Sequence, residues 1–266
     1  MRLNKPSVLL LLVALLVGGI LIYLATRDRR DRLRHLFSQG VMVYYGPQTN
    51  SNFEGAKVLI LESENWKPAT LRKLQEDGRV VIGYLSIGEL APSVQSRNKY
   101  KVLSENPDWN TLRIAPGDLA WRKFVLKKVE RARDLGLDGL MLDTVDAVEA
   151  HPESAPAMVT LIESIRDEMP NGYLVMNRGF AVLHSVRDQI DGLVFENAHS
   201  HDFSPEDEMW VEKTTQELAD SSLPVLILNY SEKSDLERTK ALAERHGWSY
   251  FYAKSLALTD PEPADD

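Results

Sequence analysis

From residue 41 onward eight short apolar runs recur, ending in polar tips, and most are followed by a stretch with helical spacing. The runs cover residues 41–46, 57–63, 80–89, 138–146, 173–179, 191–197, 224–230 and 248–254. They are rich in Val, Ile, Leu and Tyr with little internal polarity, as strands buried on both faces of a parallel sheet must be. Helical patterns fill most gaps. Residues 67–77 and 118–135 place apolar side chains three and four apart, for example Phe124, Val125, Val129 and Ala132. Ser204-Pro205-Glu206-Asp207 combines a capping serine, a proline at the first helical position and an acid three residues on. Alternating strand and helix over about 250 residues predicts a (β/α)8 TIM barrel. A doubly wound open sheet is the alternative, but no glycine-rich phosphate loop follows the first strand.

Two units depart from this pattern. The link 47–56 is too short for a full crossover helix, and residues 90–117 form a long loop after the third strand. In a barrel such a loop borders the substrate site.

Ahead of the barrel, residues 8–24 form an uncharged apolar run of 17 residues, preceded by Arg2 and Lys5. That length lies in the lower range for a membrane-spanning helix. Tyr23 stands where a cleavage site ending at Ala25 needs a small residue, so an uncleaved signal anchor is expected, with a cleaved signal peptide as the alternative. The expected organisation is a membrane anchor with a basic juxtamembrane spacer over 1–34, a barrel over 35–258, and an acidic disordered tail over 259–266. The barrel is expected outside the cytoplasm, periplasmic or extracellular.

Charge narrows the partners. The chain has 31 Lys and Arg against 39 Asp and Glu. Residues 1–34 hold seven basic residues and two acids, leaving a body with 24 basic against 37 acidic residues, a net of −13. Such a body is a poor nucleic-acid binder; its surplus acid either attracts a cationic partner or simply keeps the domain soluble. The absence of cysteine excludes disulfides, thiolate metal sites and a cysteine nucleophile.

Barrel enzymes carry their chemistry at the C-terminal ends of the strands. The polar tips are Tyr44, Tyr45, Glu62, Tyr84, Ser86, Glu89, Asp143, Asp146, Asn177, Arg178, Glu196, Asn197, Asn229, Tyr230 and Tyr252. The sharpest signal is a repeated offset: Asp143 follows Asp138-Gly139-Leu140, and Glu196 follows Asp191-Gly192-Leu193, each five residues after its Asp-Gly start. Side chains alternate with period two, so equal offsets give equal facing. Asp143 and Glu196, on the fourth and sixth strands, are therefore expected to converge across the barrel mouth. Paired carboxylates suit glycoside hydrolysis, one as nucleophile or base and one as proton donor. The structural alternative is a buried acid that merely bonds neighbouring strands or an arginine. Asp138 and Asp191 are expected to be structural. His199 and His201 resemble a metal-ligand spacing but read as a solvated loop; no metal and no cofactor is expected.

Three segments, Tyr84-Leu85-Ser86-Ile87-Gly88-Glu89, residues 136–146 (Gly-Leu-Asp-Gly-Leu-Met-Leu-Asp-Thr-Val-Asp) and Glu196-Asn197, resemble the endo-α-1,4-polygalactosaminidase family of glycoside hydrolases over residues 41–254. The resemblance implies internal cleavage of an α-1,4-linked, galactosamine-rich polysaccharide without metal. It assigns Asp143 as nucleophile, Glu196 as general acid/base, and Tyr84, Glu89, Asp146, Asn177 and Tyr230 as substrate binders. It also brings exopolysaccharide machinery into view as a partner. The chain departs from the family in carrying Thr144-Val145 where Asp-Asn-x-Asp is common. The alternative function is a non-catalytic glycan-binding barrel.

Overall fold

The computed structural model describes residues 24–51 and 53–264. Helix α1 (residues 24–38) leads into β1 (Val41–Tyr44) and β2 (Val58–Leu61), followed by α2 (Pro68–Glu76) and β3 (Val80–Ser86). An excursion then holds β4 (Glu89–Leu90), α3 (Val94–Lys99), β5 (Val102–Asn106) and β6 (Thr111–Ile114). The remaining units are α4 (Leu119–Asp134), β7 (Gly139–Asp143), α5 (Ala147–Ala150), α6 (Ala155–Glu168), β8 (Tyr173–Asn177) and α7 (Phe180–Val186). Last come β9 (Gly192–Glu196), α8 (Pro205–Asp220), β10 (Val225–Tyr230), α9 (Leu236–His246) and β11 (Ser249–Ala253).

All eight apolar runs become strands of one parallel sheet, in the order β1-β2-β3-β7-β8-β9-β10-β11. The sheet curls into a nearly closed barrel of the (β/α)8 kind. At the mouth, the Tyr45 amide donates to the Leu258 carbonyl at 2.7 Å, bridging from the end of β1 to the segment after β11. The strands are almost wholly buried; Leu59, Ile60, Val81, Met141, Val175, Val194 and Ile227 are fully enclosed. No helix follows β1 or β11 among the described residues, so the outer layer is incomplete at that edge. The link after β1 packs instead through Phe53, whose ring lies 5.7 Å from Tyr44 and 5.9 Å from Trp66.

The expected third strand is shorter than its apolar run. It ends at Ser86, and Glu89 opens a separate three-stranded antiparallel sheet, β4-β6-β5. The segment 90–117, expected as a loop, thus has its own architecture on the mouth side of the barrel.

The basic stretch 27–34 is not a free spacer. It lies in α1, which docks on the strands' N-terminal ends: Leu33 and Phe37 are buried, and Arg29 reaches Asp191 at 2.9 Å. Arg30 donates to the Ile190 carbonyl and Arg34 to the Ser222 carbonyl. Apolar burial and satisfied strand-end carbonyls make these residues part of the barrel. The described tail is likewise ordered rather than free. Lys254 pairs with Asp260 at 3.2 Å, and the Ala264 amide donates to the Tyr252 carbonyl at 2.9 Å. The apolar run 8–24 lies, apart from Leu24, outside the described residues. Among the described residues, no helix is long and apolar enough to cross a membrane.

Candidate active site

Strand register fixes which side chains line the interior. Tyr45, beyond β1, touches Met141 of β7 and Tyr84 of β3, strands that are not its neighbours, so these contacts cross the barrel. With period-two alternation, Asp143 faces as Met141 does; through the paired rows Asn177, Glu196 and Tyr230 face the same way. The two carboxylates expected to converge do so.

One amide joins them. Asn177 Nδ2 donates to Asp143 Oδ1 and to Glu196 Oε2, both at 2.8 Å. Two oxygens each 2.8 Å from the same nitrogen are at most about 5.6 Å apart. The outer oxygens have their own donors: Tyr84 Oη gives to Asp143 Oδ2 at 2.8 Å, and Tyr230 Oη gives to Glu196 Oε1. Burial, then the charge of Asp143, pushes the Glu196 carboxyl above its ordinary range, against the opposing donation from Asn177 and Tyr230. Burial and the adjacent carboxylates push the Tyr84 and Tyr230 phenols far up, so both remain proton donors. Asn177 is 6% exposed and its Oδ1 has no partner among the described residues.

The repeated Asp-Gly starts explain this placement. Asp138 Oδ2 accepts from the Val81 amide at 2.8 Å, and Asp191 Oδ2 accepts from the Leu174 amide at 2.9 Å. Each aspartate extends the ladder to the preceding strand and so sets the register that carries Asp143 and Glu196 to the mouth. A side chain at Gly139 would strike the Tyr173 carbonyl oxygen at 2.2 Å, so only glycine fits there. At the other end, Thr144, Arg178 and Asn197 each follow an inward tip and each adopts positive φ, +60°, +51° and +52°. Three neighbouring strands thus stop by the same left-handed turn right after Asp143, Asn177 and Glu196. For β-branched Thr144 that conformation is strained. Its hydroxyl compensates: it accepts from the Gly88 and Glu89 amides at 2.8 and 3.1 Å and lies 2.8 Å from Ser86 Oγ.

The remaining expected residues divide. Asp146 lies at the rim, 3.5 Å from Arg178 Nε in an ion contact without hydrogen-bond geometry, while the Arg178 guanidinium stacks 5.6 Å over Trp210. Burial raises the Asp146 carboxyl to about 6, with Arg178 opposing and Asp143 adding to the rise. Glu89, expected to bind substrate, is instead engaged within the protein. It is 6% exposed, and its oxygens accept from Asn106 Nδ2 at 3.0 and 3.2 Å and from Thr111 Oγ1, with Arg113 Nε 3.4 Å away. Its carboxylate holds the antiparallel sheet together. Two tip residues outside that set also belong to the mouth. Glu62, beside Tyr84, is raised to about 7 by burial and then Glu64, with Lys128 opposing. Tyr45 packs on Tyr84 with ring centroids 4.7 Å apart. Alternation along β1 from Val43 turns this strand-tip tyrosine toward the interior. His199 and His201 lie with rings 5.7 Å apart, and no three His, Asp or Glu side chains gather to hold a metal among the described residues.

A model of glycoside-hydrolase family GH114 matches residues 38–260. An uncharacterized protein of Deinococcus radiodurans is 32% identical over 106 residues, 36% of this chain and 34% of that protein; the match spans about a third of its length. The glycoside hydrolase domain of PelA from Pseudomonas aeruginosa superposes with a TM-score of 0.72 at 23% identity, covering 83% of this chain and 96% of that domain. Aspergillus fumigatus Ega3, solved with galactosamine, gives 0.65 at 17% identity, covering 84% and 93%. At these identities the structural likeness speaks for the fold.

Proposed function

The chain belongs to glycoside-hydrolase family GH114, and from that premise we propose that it cleaves an α-1,4-linked, galactosamine-rich polysaccharide internally, by double displacement with retention of anomeric configuration. Asp143 attacks the anomeric carbon and forms the glycosyl-enzyme bond. Glu196 gives its proton to the departing glycosidic oxygen, then takes one from the water that releases the sugar. The observation carrying this reading is the shared Asn177 amide. It keeps the nearest oxygens of the two carboxylates within about 5.6 Å of each other, a closeness that favours the short separation of a retaining pair over the wider one of an inverting pair. Glu196 takes the acid role because burial and Asp143 hold its proton. Tyr84, Asn177 and Tyr230 orient the pair, and Asp146 meets substrate at the rim. The galactosamine assignment draws on the sequence resemblance, on the ligand of the Ega3 structure, and on the acidity of the body.

The proposal extends to place. The apolar run 8–24 anchors the chain in a membrane, with the barrel outside the cytoplasm beside exopolysaccharide machinery. Since α1 docks on the strands' N-terminal ends, such an anchor leaves the catalytic mouth pointing away from the lipid. Carbonate extraction of membranes and protease accessibility of the barrel in intact cells test this part.

The chemical test is proton NMR of the first product released from a defined α-1,4-galactosamine oligomer. The α-anomer should appear first, and both Asp143→Asn and Glu196→Gln should lose at least about a thousandfold in rate while their melting temperatures hold. Release of the β-anomer, full activity in either variant, or no new reducing ends from the wild type overturns the reading.

A further inference from the structure

Around Asp143 and Glu196, nearly every polar side chain is committed. Tyr84 and Tyr230 each give their hydroxyl proton to a carboxylate, and Asn177 gives both amide protons. All four carboxylate oxygens therefore have a donor. Tyr45 is different. Its ring packs on Tyr84, the donor to Asp143, with centroids 4.7 Å apart, and its hydroxyl reaches across the barrel to Met141, two residues before Asp143 on the same inward row. Yet the one partner of that hydroxyl among the described residues is the Met141 thioether, 4.0 Å away, a weak acceptor.

The position is built rather than incidental. The Tyr45 amide donates to the Leu258 carbonyl at 2.7 Å, and its own carbonyl accepts from Asn65 Nδ2 at 3.1 Å. The backbone is held from both sides across the seam of the barrel, which fixes where the ring enters. Burial, with Asp143 next, raises its phenol well above the ordinary range, so the group is a donor at any working pH. Tyr45 is half-buried at the mouth, so its hydroxyl, without a strong protein acceptor, is placed to meet an acceptor that enters from outside.

We infer that Tyr45 is a substrate-binding residue of the hydrolytic site, its hydroxyl donating to a hydroxyl oxygen of the sugar ring seated against Asp143 and Glu196. The inference rests on the hydrolase reading above and adds a recognition contact to it. The bond acts on the ring being cleaved, so it strengthens as that ring flattens toward the transition state.

The neighbouring residue supplies the control. Tyr44 is buried, faces the other way, and gives its hydroxyl to the Pro47 carbonyl at 2.8 Å. The experiment measures kcat, KM and melting temperature of the full chain, Tyr45→Phe and Tyr44→Phe on the α-1,4-galactosamine polymer. Tyr45→Phe should lower kcat/KM by about 10- to 100-fold, with part of the loss in kcat, at an unchanged melting temperature. Tyr44→Phe should show the reverse pattern, a lower melting temperature and wild-type turnover. Wild-type kinetics in Tyr45→Phe overturn the inference and leave the hydrolase reading standing. A fall in melting temperature with unchanged kcat and KM makes Tyr45 structural and overturns it too. An inactive wild type removes both.

Discussion

Replacing Asn177 by alanine separates two effects that one amide now combines. The side chain gives one hydrogen bond to each carboxylate at 2.8 Å, and bonds to charged groups contribute about 1.5–3 kcal/mol each. Two full charges on the order of 6 Å apart also repel by about 3 kcal/mol at an effective dielectric of about 20, so the pair already resists double ionisation. With Glu196 in the proposed role of acid, activity is lost as pH rises through its titration. Asn177 favours the charged form and lowers that titration point; removing it raises the point. Tyr230 still donates to Glu196, which limits the change. The basic limb of kcat/KM should therefore move upward by on the order of one pH unit. The rate at the optimum should fall about a hundredfold as the carboxylates lose their common brace. The assay is initial-rate reducing-end release from pH 4 to 9, with melting temperature followed in parallel. A basic limb that stays put, or moves toward lower pH, refutes the assignment of Glu196 as the acid oriented by Asn177.

At the opposite face, Asp191→Ala should destabilise the fold by about 3–5 kcal/mol, because it leaves Arg29 and Arg166 without their shared buried carboxylate; urea titration checks it, and a loss under about 1 kcal/mol contradicts it. A chain starting at residue 39 should melt lower than one starting at residue 24, since it lacks Leu33 and Phe37, each contributing about 1.5–3 kcal/mol of burial; equal melting would mean that α1 adds nothing. Glu89→Gln should loosen the β4-β6-β5 sheet, seen as faster amide exchange at Asn106 and Thr111, while the KM of the remaining active enzyme holds; a change in KM alone would restore Glu89 to the substrate.

The barrel was legible because its strands are buried on both faces and carry little else. The run 191–197, for instance, admits one polar inward tip, Glu196, and the structure puts it where the spacing required. The carboxylate pair was legible through the same arithmetic. What escaped has a common cause: a side chain's partner need not be near it in sequence. Glu89 ends an apolar run and so resembles a catalytic tip, but its partners Asn106, Thr111 and Arg113 come from a sheet formed by a segment with no apolar periodicity. The arginines of 27–34 look like a membrane-proximal charge cluster, and their acceptors at 187–191 and 222 are visible only after folding.

The two Asp-Gly phrases link these layers. Asp138 and Asp191 each bond the amide of the preceding strand at the barrel's foot, and the acids five residues later stand at its mouth. Because the strands between them are rigid and packed, a shift of one residue at the foot would turn Asp143 or Glu196 away from the interior altogether. The clamp of Arg29 and Arg166 on Asp191 therefore bears on catalysis from the far end of β9. The left-handed residues at 144, 178 and 197 release the chain from the sheet immediately after each inward tip, so the pair is held from below by register and from above by turn geometry. Weakening the foot should cost activity before it unfolds the barrel, whereas a glycan-binding surface on loops would be indifferent to the foot. That difference ties the hydrolytic reading to the architecture that carries it.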